Sequence, residues 1–128
     1  MPSNSTLLDF GDEQFVSLTT FRKTGVGVAT TVWIARDGDA LLVTTPRGSG
    51  KVKRLRNNPR VELQPSSSRG TVADGAPTAR GQAEILEETP AHSAVFRTKF
   101  GLQYRLFMML EKLSKKGKQP RYILRITE

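Results

Sequence analysis

The chain contains no cysteine. That excludes disulfides, thiolate nucleophiles and sulfur-based metal sites. It contains one histidine, His92, too few for a histidine zinc site or a Ser/His/Asp triad, and no metal ligand set is expected. His92 reads as an ordinary helix residue. No apolar run approaches the ~18 residues of a bilayer span, and no charged-then-apolar leader opens the sequence. A cytoplasmic protein without a membrane partner is therefore expected. Acidic residues are missing from one long stretch, since positions 40 to 61 hold neither Asp nor Glu. General acid–base hydrolysis by carboxylates has no foothold there.

Positive charge is what the chain has in excess. Its 128 residues carry a formal net charge of +8. Arg47, Lys51, Lys53, Arg54, Arg56 and Arg60 form one acid-free block, and Lys112, Lys115, Lys116, Lys118, Arg121 and Arg125 form a second. Such a balance suits an anion: nucleic acid, a membrane surface or a phosphorylated cofactor. No aromatic residue interrupts Arg47 to Arg60. Base stacking needs such platforms, so nucleic acid is not the expected partner. The length fits one domain, residues 1 to 128, with residues 1 to 8 expected to be frayed. A domain of this size encloses no deep private site, and a homodimer with its site between subunits follows as an expectation.

Strand signals dominate the first half. Phe15 to Phe21 reads FVSLTTF and is followed by a turn at Arg22 to Gly25. From Val28 to Ala35 the residues alternate, with Val28, Thr30, Val32 and Ile34 on one face and Ala29, Thr31 and Trp33 on the other. Asp37-Gly38-Asp39 closes a hairpin into Ala40 to Thr45, which predicts a three-stranded meander. Arg60 to Gln64 and a long stretch from Pro77 to Glu87 predict two more strands, and Tyr122, Leu124 and Ile126 alternate on a last one. Pro90 to Ser114 has helical spacing, with Thr89 as cap, Gly117 as stop and Gly101 as a potential break. The order βββαββαβ is mainly β, an antiparallel barrel of about six strands with one short and one longer flanking helix.

The short helix lies in PRGSGKVKRLRNNP, residues 46 to 59. Its Gly-Ser-Gly-Lys imitates a nucleotide-hydrolysing phosphate loop, yet the first glycine of that pattern is Thr45 and the metal-holding hydroxyl is replaced by Val52. Phosphate chemistry survives that failure. Ser49 can cap a helix whose inner face is Val52 and Leu55, and Asn58-Pro59 can end it. The N-terminal N–H groups, the Ser49 hydroxyl, Gly50 and the Lys51 ammonium can meet an anion together, with the hydroxyls of Thr44 and Thr45 nearby. Thr30 and Thr31, on a strand expected to run beside Ala40 to Thr45, could line the same cleft. A cofactor carrying its own reactivity needs no carboxylate there. Trp33 reads as core.

A βββ meander, a Thr-Thr strand end and Ser-Gly-Lys opening a basic helix that finishes Asn-Asn-Pro-Arg-Val resemble the pyridoxamine-phosphate-oxidase-like split β-barrel flavoproteins. SLTTFRKTG, TTVWIARDGDALLV and SGKVKRLRNNPRVEL resemble its branch that binds the deazaflavin coenzyme F420 in place of FMN. The similarity runs from about Asp12 to Thr127. It implies a homodimer with cofactor at the subunit interface and a deazaflavin-dependent oxidoreductase, FMN or a non-catalytic carrier being the alternatives. Carried onto this sequence, Val28, Ala29, Thr30, Thr31 and Val32 would run beside the ring, and Thr44 and Thr45 would hydrogen-bond the tail or phosphate. Ser49, Gly50 and Lys51 would bind the phosphate, while Arg54 and the loop Pro65 to Arg69, Arg69 above all, would meet the anionic tail.

Overall fold

The structure, a computed structural model, describes residues 7–113 and 120–128. Among these, seven strands form one antiparallel sheet: β1 (Phe15–Phe21), β2 (Gly27–Trp33), β3 (Ala35–Asp37), β4 (Ala40–Pro46), β5 (Arg60–Pro65), β6 (Ala79–Glu87) and β7 (Arg121–Thr127). Their order across the sheet is β2-β1-β5-β6-β7-β4-β3. The curled sheet is the split-barrel architecture that the sequence led us to expect. Helix α1 (Gly50–Asn57) follows β4, and α2 (Pro90–Phe100) and α3 (Leu102–Leu113) follow β6.

Seven strands stand where about six were expected, because Val28 to Ala35 is not one strand. It breaks at Ile34, which is fully buried. The part before the break pairs with β1, Val32 facing Val16 and Thr30 facing Leu18. The part after it pairs with β4, Ala35 facing Leu42. The expected meander is thus two separate hairpins, and β2 has no ladder with β4. Instead the two strands approach each other across the barrel. The long strand starts at Ala79 rather than Pro77.

Two apolar clusters hold the sheet. Val16, Leu18, Leu41, Val43, Val61, Leu63, Leu124 and Ile126 fill the barrel interior. Leu42, Ile123, Phe96, Phe100 and Tyr104 pack between the sheet and the two later helices. Strand β4 is therefore covered on both faces. That is why its apolar residues run continuously, Ala40 to Val43, instead of alternating. Burying a Leu or Phe in this way is worth roughly 1.5 to 3 kcal/mol each. Leu7 and Phe10, on a short 3-10 helix from Leu7 to Asp12, join the barrel core. The expectation that the chain is frayed through residue 8 is corrected at Leu7 and Leu8, both packed on that core; residues 1–6 lie outside the described ones.

The helical region divides as its glycine predicted. Gly101, at φ 56°, ends α2 and lets α3 set off in a new direction. Thr89 caps α2 by accepting from the His92 N–H, while the Thr89 N–H donates to His92 Nδ1 at 3.1 Å. His92 is a helix residue, and its ring closes a capping box. The proposed stop at Gly117 and the basic positions Lys115, Lys116 and Lys118 fall outside the described residues. No described helix is long and apolar enough to cross a membrane.

Candidate functional site

Strand β4 runs out of the barrel core at Thr45 and hands the chain to α1 through Pro46 to Ser49. The Thr45 side chain is fully buried, and its Oγ1 lies 3.0 Å from Ser49 Oγ. A buried hydroxyl needs a partner, and Ser49 is the one in reach. The expectation that Ser49 caps α1 with its hydroxyl is corrected for this reason. Ser49 occupies the N-cap position in extended conformation, but its side chain makes no cap hydrogen bond. The first turn of α1 keeps its N–H groups without a side-chain cap. Val52 and Leu55 are buried, as the periodicity required, and this fixes which way Lys51 and Arg54 point.

Those two cations have different surroundings. Arg54 donates from Nε to the Thr20 hydroxyl at 2.6 Å, and its guanidinium folds back over Gly50. Lys51 lines a cleft of about 270 Å³ together with Thr44, Thr45, Thr31, Trp33 and Arg121. Burial is the main cause that holds the Lys51 ammonium below the usual lysine pKa, with Arg54 and then Arg121 adding repulsion. Arg121 is itself buried; it donates from Nε to Thr44 Oγ1 at 2.8 Å. An ammonium that burial and two neighbouring guanidinium groups disfavour would be relieved by an anion beside it.

The opposite wall is aromatic. Trp33 is half-buried and stacks on Phe100 with centroids 4.8 Å apart, while Phe107 of α3 lies 5.1 Å from the indole. Phe15, Trp33, Tyr104 and Phe107 all line the cleft. Tyr104 has its hydroxyl pushed above the usual tyrosine pKa, chiefly by burial, against a hydrogen bond with Ser93 that acts the other way. A flat apolar ring suits this wall as a phosphate suits the basic end. A wider groove of about 570 Å³ runs past Gly11, Arg36, Thr98 and Lys99. It contains no residue of α1, and it lacks the pairing of aromatic and basic walls.

Of the residues singled out from the sequence, Thr31, Val32, Thr44, Thr45 and Lys51 come together in the cleft. Ser49 adjoins it through Thr45, and Gly50 opens α1. Val28, Ala29 and Thr30 sit further along β2, which among the described strands pairs with β1 alone and so presents a sheet edge. Thr30 Oγ1 is buried with no hydrogen-bond partner. Arg69 is exposed in a turn whose neighbour Ser68, not Arg69, reaches the cleft. That turn is close to β2: a Cβ on Gly70 would lie 2.5 Å from Thr31 Oγ1. The loop Pro65 to Arg69 thus reaches the cleft through Ser68, and the residues that sequence reasoning missed are Arg121, Tyr104, Phe107 and Phe15. Arg121 had one visible signal, a cation opening an apolar strand, which favours a buried partner over a solvated face.

The comparisons agree with this fold. The family model described as pyridoxamine 5'-phosphate oxidase matches residues 6–127. The chain belongs to that family. No curated protein matches it. Among solved structures, one titled F420 reductase is 20% identical with a TM-score of 0.61, over 99% of this chain and 94% of that one. A conserved hypothetical protein of Mycobacterium tuberculosis is 23% identical with a TM-score of 0.64, over 94% and 77%. The heme storage protein HutZ of Vibrio cholerae is 13% identical with a TM-score of 0.62, over 91% and 82%. At these identities the likeness is one of fold.

Proposed function

We propose that this member of the family binds coenzyme F420, with FMN as the alternative. In our reading it is an oxidoreductase that moves a hydride between the reduced cofactor and a small unsaturated or conjugated substrate. One observation carries the proposal: a single cleft joins the basic end, Lys51 and Arg121 beside the start of α1, to the aromatic wall of Trp33, Tyr104 and Phe107. Phosphate and planar ring are the two halves of such a cofactor. The similarity in fold to a protein titled F420 reductase, over nearly the full length of both chains, supports the same choice.

The residues fit the group. Lys51, Ser49 and the N–H groups opening α1 would hold its phosphate, with Arg54 toward the anionic tail. Edge strand β2, with the unpartnered Thr30 hydroxyl, offers hydrogen-bonding groups to a ring. When bound, the deazaflavin supplies the hydride chemistry. The chain's part would be to orient the ring against the aromatic wall of Trp33, Tyr104 and Phe107 and to keep water from it. A heme-holding role finds no histidine or cysteine in the cleft, and the ring of His92 is engaged in the cap of α2.

We further propose a homodimer in which a second copy closes the cleft, since one chain leaves it accessible from outside. Sedimentation of the purified protein tests this, and a monomer that binds cofactor at full affinity overturns it. The cofactor is tested by titrating the protein with F420 and with FMN while following absorbance. Saturable binding of F420 tighter than that of FMN is expected; binding of neither removes the proposal. Turnover of a conjugated substrate by the loaded protein separates an enzyme from a carrier.

A further inference from the structure

Helix α3 is amphipathic twice over. Tyr104 is buried in the helix–sheet core and Met108 packs against it. Leu102, Leu106, Met109, Leu110 and Leu113 are exposed instead, Leu102 and Leu113 at 78% and 75% of their surface. Spaced i, i+4, i+7, i+8 and i+11, these five form one stripe down the helix. An apolar stripe of that length in water is costly unless something covers it.

Charge indicates what does. At the elbow where α2 meets α3, a groove is lined by Arg97, Gly101, Leu102 and Arg105, so two guanidinium groups border the first leucine of the stripe. Residues 102 to 118 carry Arg105, Lys112, Lys115, Lys116 and Lys118 against the single acid Glu111. An anionic lipid surface would neutralise these cations while taking up the leucines.

We propose that α3 docks on anionic lipid bilayers, its leucine stripe entering the interface and Arg97 and Arg105 meeting headgroup phosphates. Helices with leucines on one face and lysines and arginines around it lie in the plane of the interface. Expecting no membrane partner rested on the want of a spanning run, and a surface-lying helix needs none. The proposal goes beyond the cofactor site and does not depend on it, although Phe107 puts the same helix on the cleft wall.

The test is co-sedimentation of the full chain with phosphatidylcholine vesicles, with and without phosphatidylglycerol. Expected is binding to the anionic vesicles that weakens with salt, and little to the neutral ones. Leu106→Glu with Leu110→Glu is expected to reduce binding roughly tenfold or more. Leu102→Ser with Leu113→Ser, which adds no charge, is expected to reduce it several-fold. All four positions are exposed, and circular dichroism verifies folding. Absence of binding to anionic vesicles overturns the proposal, as does binding that neither variant weakens. Conversion of a dimer into a monomer by the serine pair also overturns it, by making the stripe a contact between copies.

Discussion

Arg54 and Gly50 are set face to face: a Cβ on the glycine would lie 2.7 Å from Arg54 Nη1, while Thr20 holds the same guanidinium from β1. Gly50→Ala therefore does two opposed things. It improves helix propensity by up to about 1 kcal/mol and pushes the guanidinium off the helix opening. A folded protein with a Tm within about 4 °C of wild type is expected, with F420 affinity several-fold weaker. Calorimetry and absorbance titration measure the two. Unchanged affinity would show that the guanidinium does not reach the ligand.

Lys51→Ala removes a charge-assisted hydrogen bond worth about 1.5 to 3 kcal/mol if the ammonium meets a phosphate. Affinity is then expected to fall roughly 10- to 150-fold. Lys53→Ala, on the exposed side of the same helix, is expected to change it less than about threefold, because a solvated charge is screened by salt. Equal small losses from both would mean that only the general field attracts the ligand.

The pH dependence has a fixed sign. Burial, with Arg54 and Arg121, holds Lys51 below the ordinary lysine value, so its ammonium is lost early as pH rises. Affinity for the anionic ligand is expected to decline in the alkaline range before a free lysine would titrate. Apo-protein stability moves the other way. In that window the unfolded chain keeps the proton that the folded chain has released, so the contribution of Lys51 to stability grows with pH. Lys51→Arg, whose charge does not titrate, is expected to flatten the affinity profile. A wild-type profile already flat up to the ordinary lysine pKa would exclude Lys51 from the phosphate.

Lys99 is a different kind of cation. Its ammonium donates to the carbonyls of Gly11 at 2.7 Å and Ile34 at 2.6 Å, and also to that of Glu13, joining α2 to the 3-10 helix and to the break between β2 and β3. Lys99→Met keeps the stem and leaves these carbonyls to water. A loss of about 2 kcal/mol is expected, lowering Tm by roughly 6 to 10 °C, with cofactor affinity little changed. An unaltered Tm would mean that solvent replaces the clamp at no cost.

Local signals carried most of the fold. FVSLTTF, the Asp-Gly-Asp turn, Thr89-Pro90 and Gly101 each act over a few residues, and each produced the element it announced. The break at Ile34 was not readable, because Val28 to Ala35 alternates without interruption and only the pull of two different neighbours, β1 and β4, separates it. The part of the cleft's basic half that runs from Thr44 to Lys51 was legible for a similar reason, being contiguous in sequence, whereas Arg121 joins it only through the pairing of β7 with β4. The aromatic wall of the cleft was not legible. Phe15, Trp33, Tyr104 and Phe107 lie on three separate elements, and Tyr104 and Phe107 had the same helical spacing as any core residue.

The place of β7 has a consequence for how the chain comes into being. Residues 121–127 follow the other six described strands in sequence, yet they sit between β6 and β4 and pair along both edges. Until they emerge, β4 with β3 and β6 with β5 present open interior edges to whatever is nearby. Such edges are templates for mispairing, and closing them waits on contacts far apart in sequence. The barrel therefore cannot exist before β7 has emerged, and until then the nascent chain consists of two half-sheets waiting for one strand.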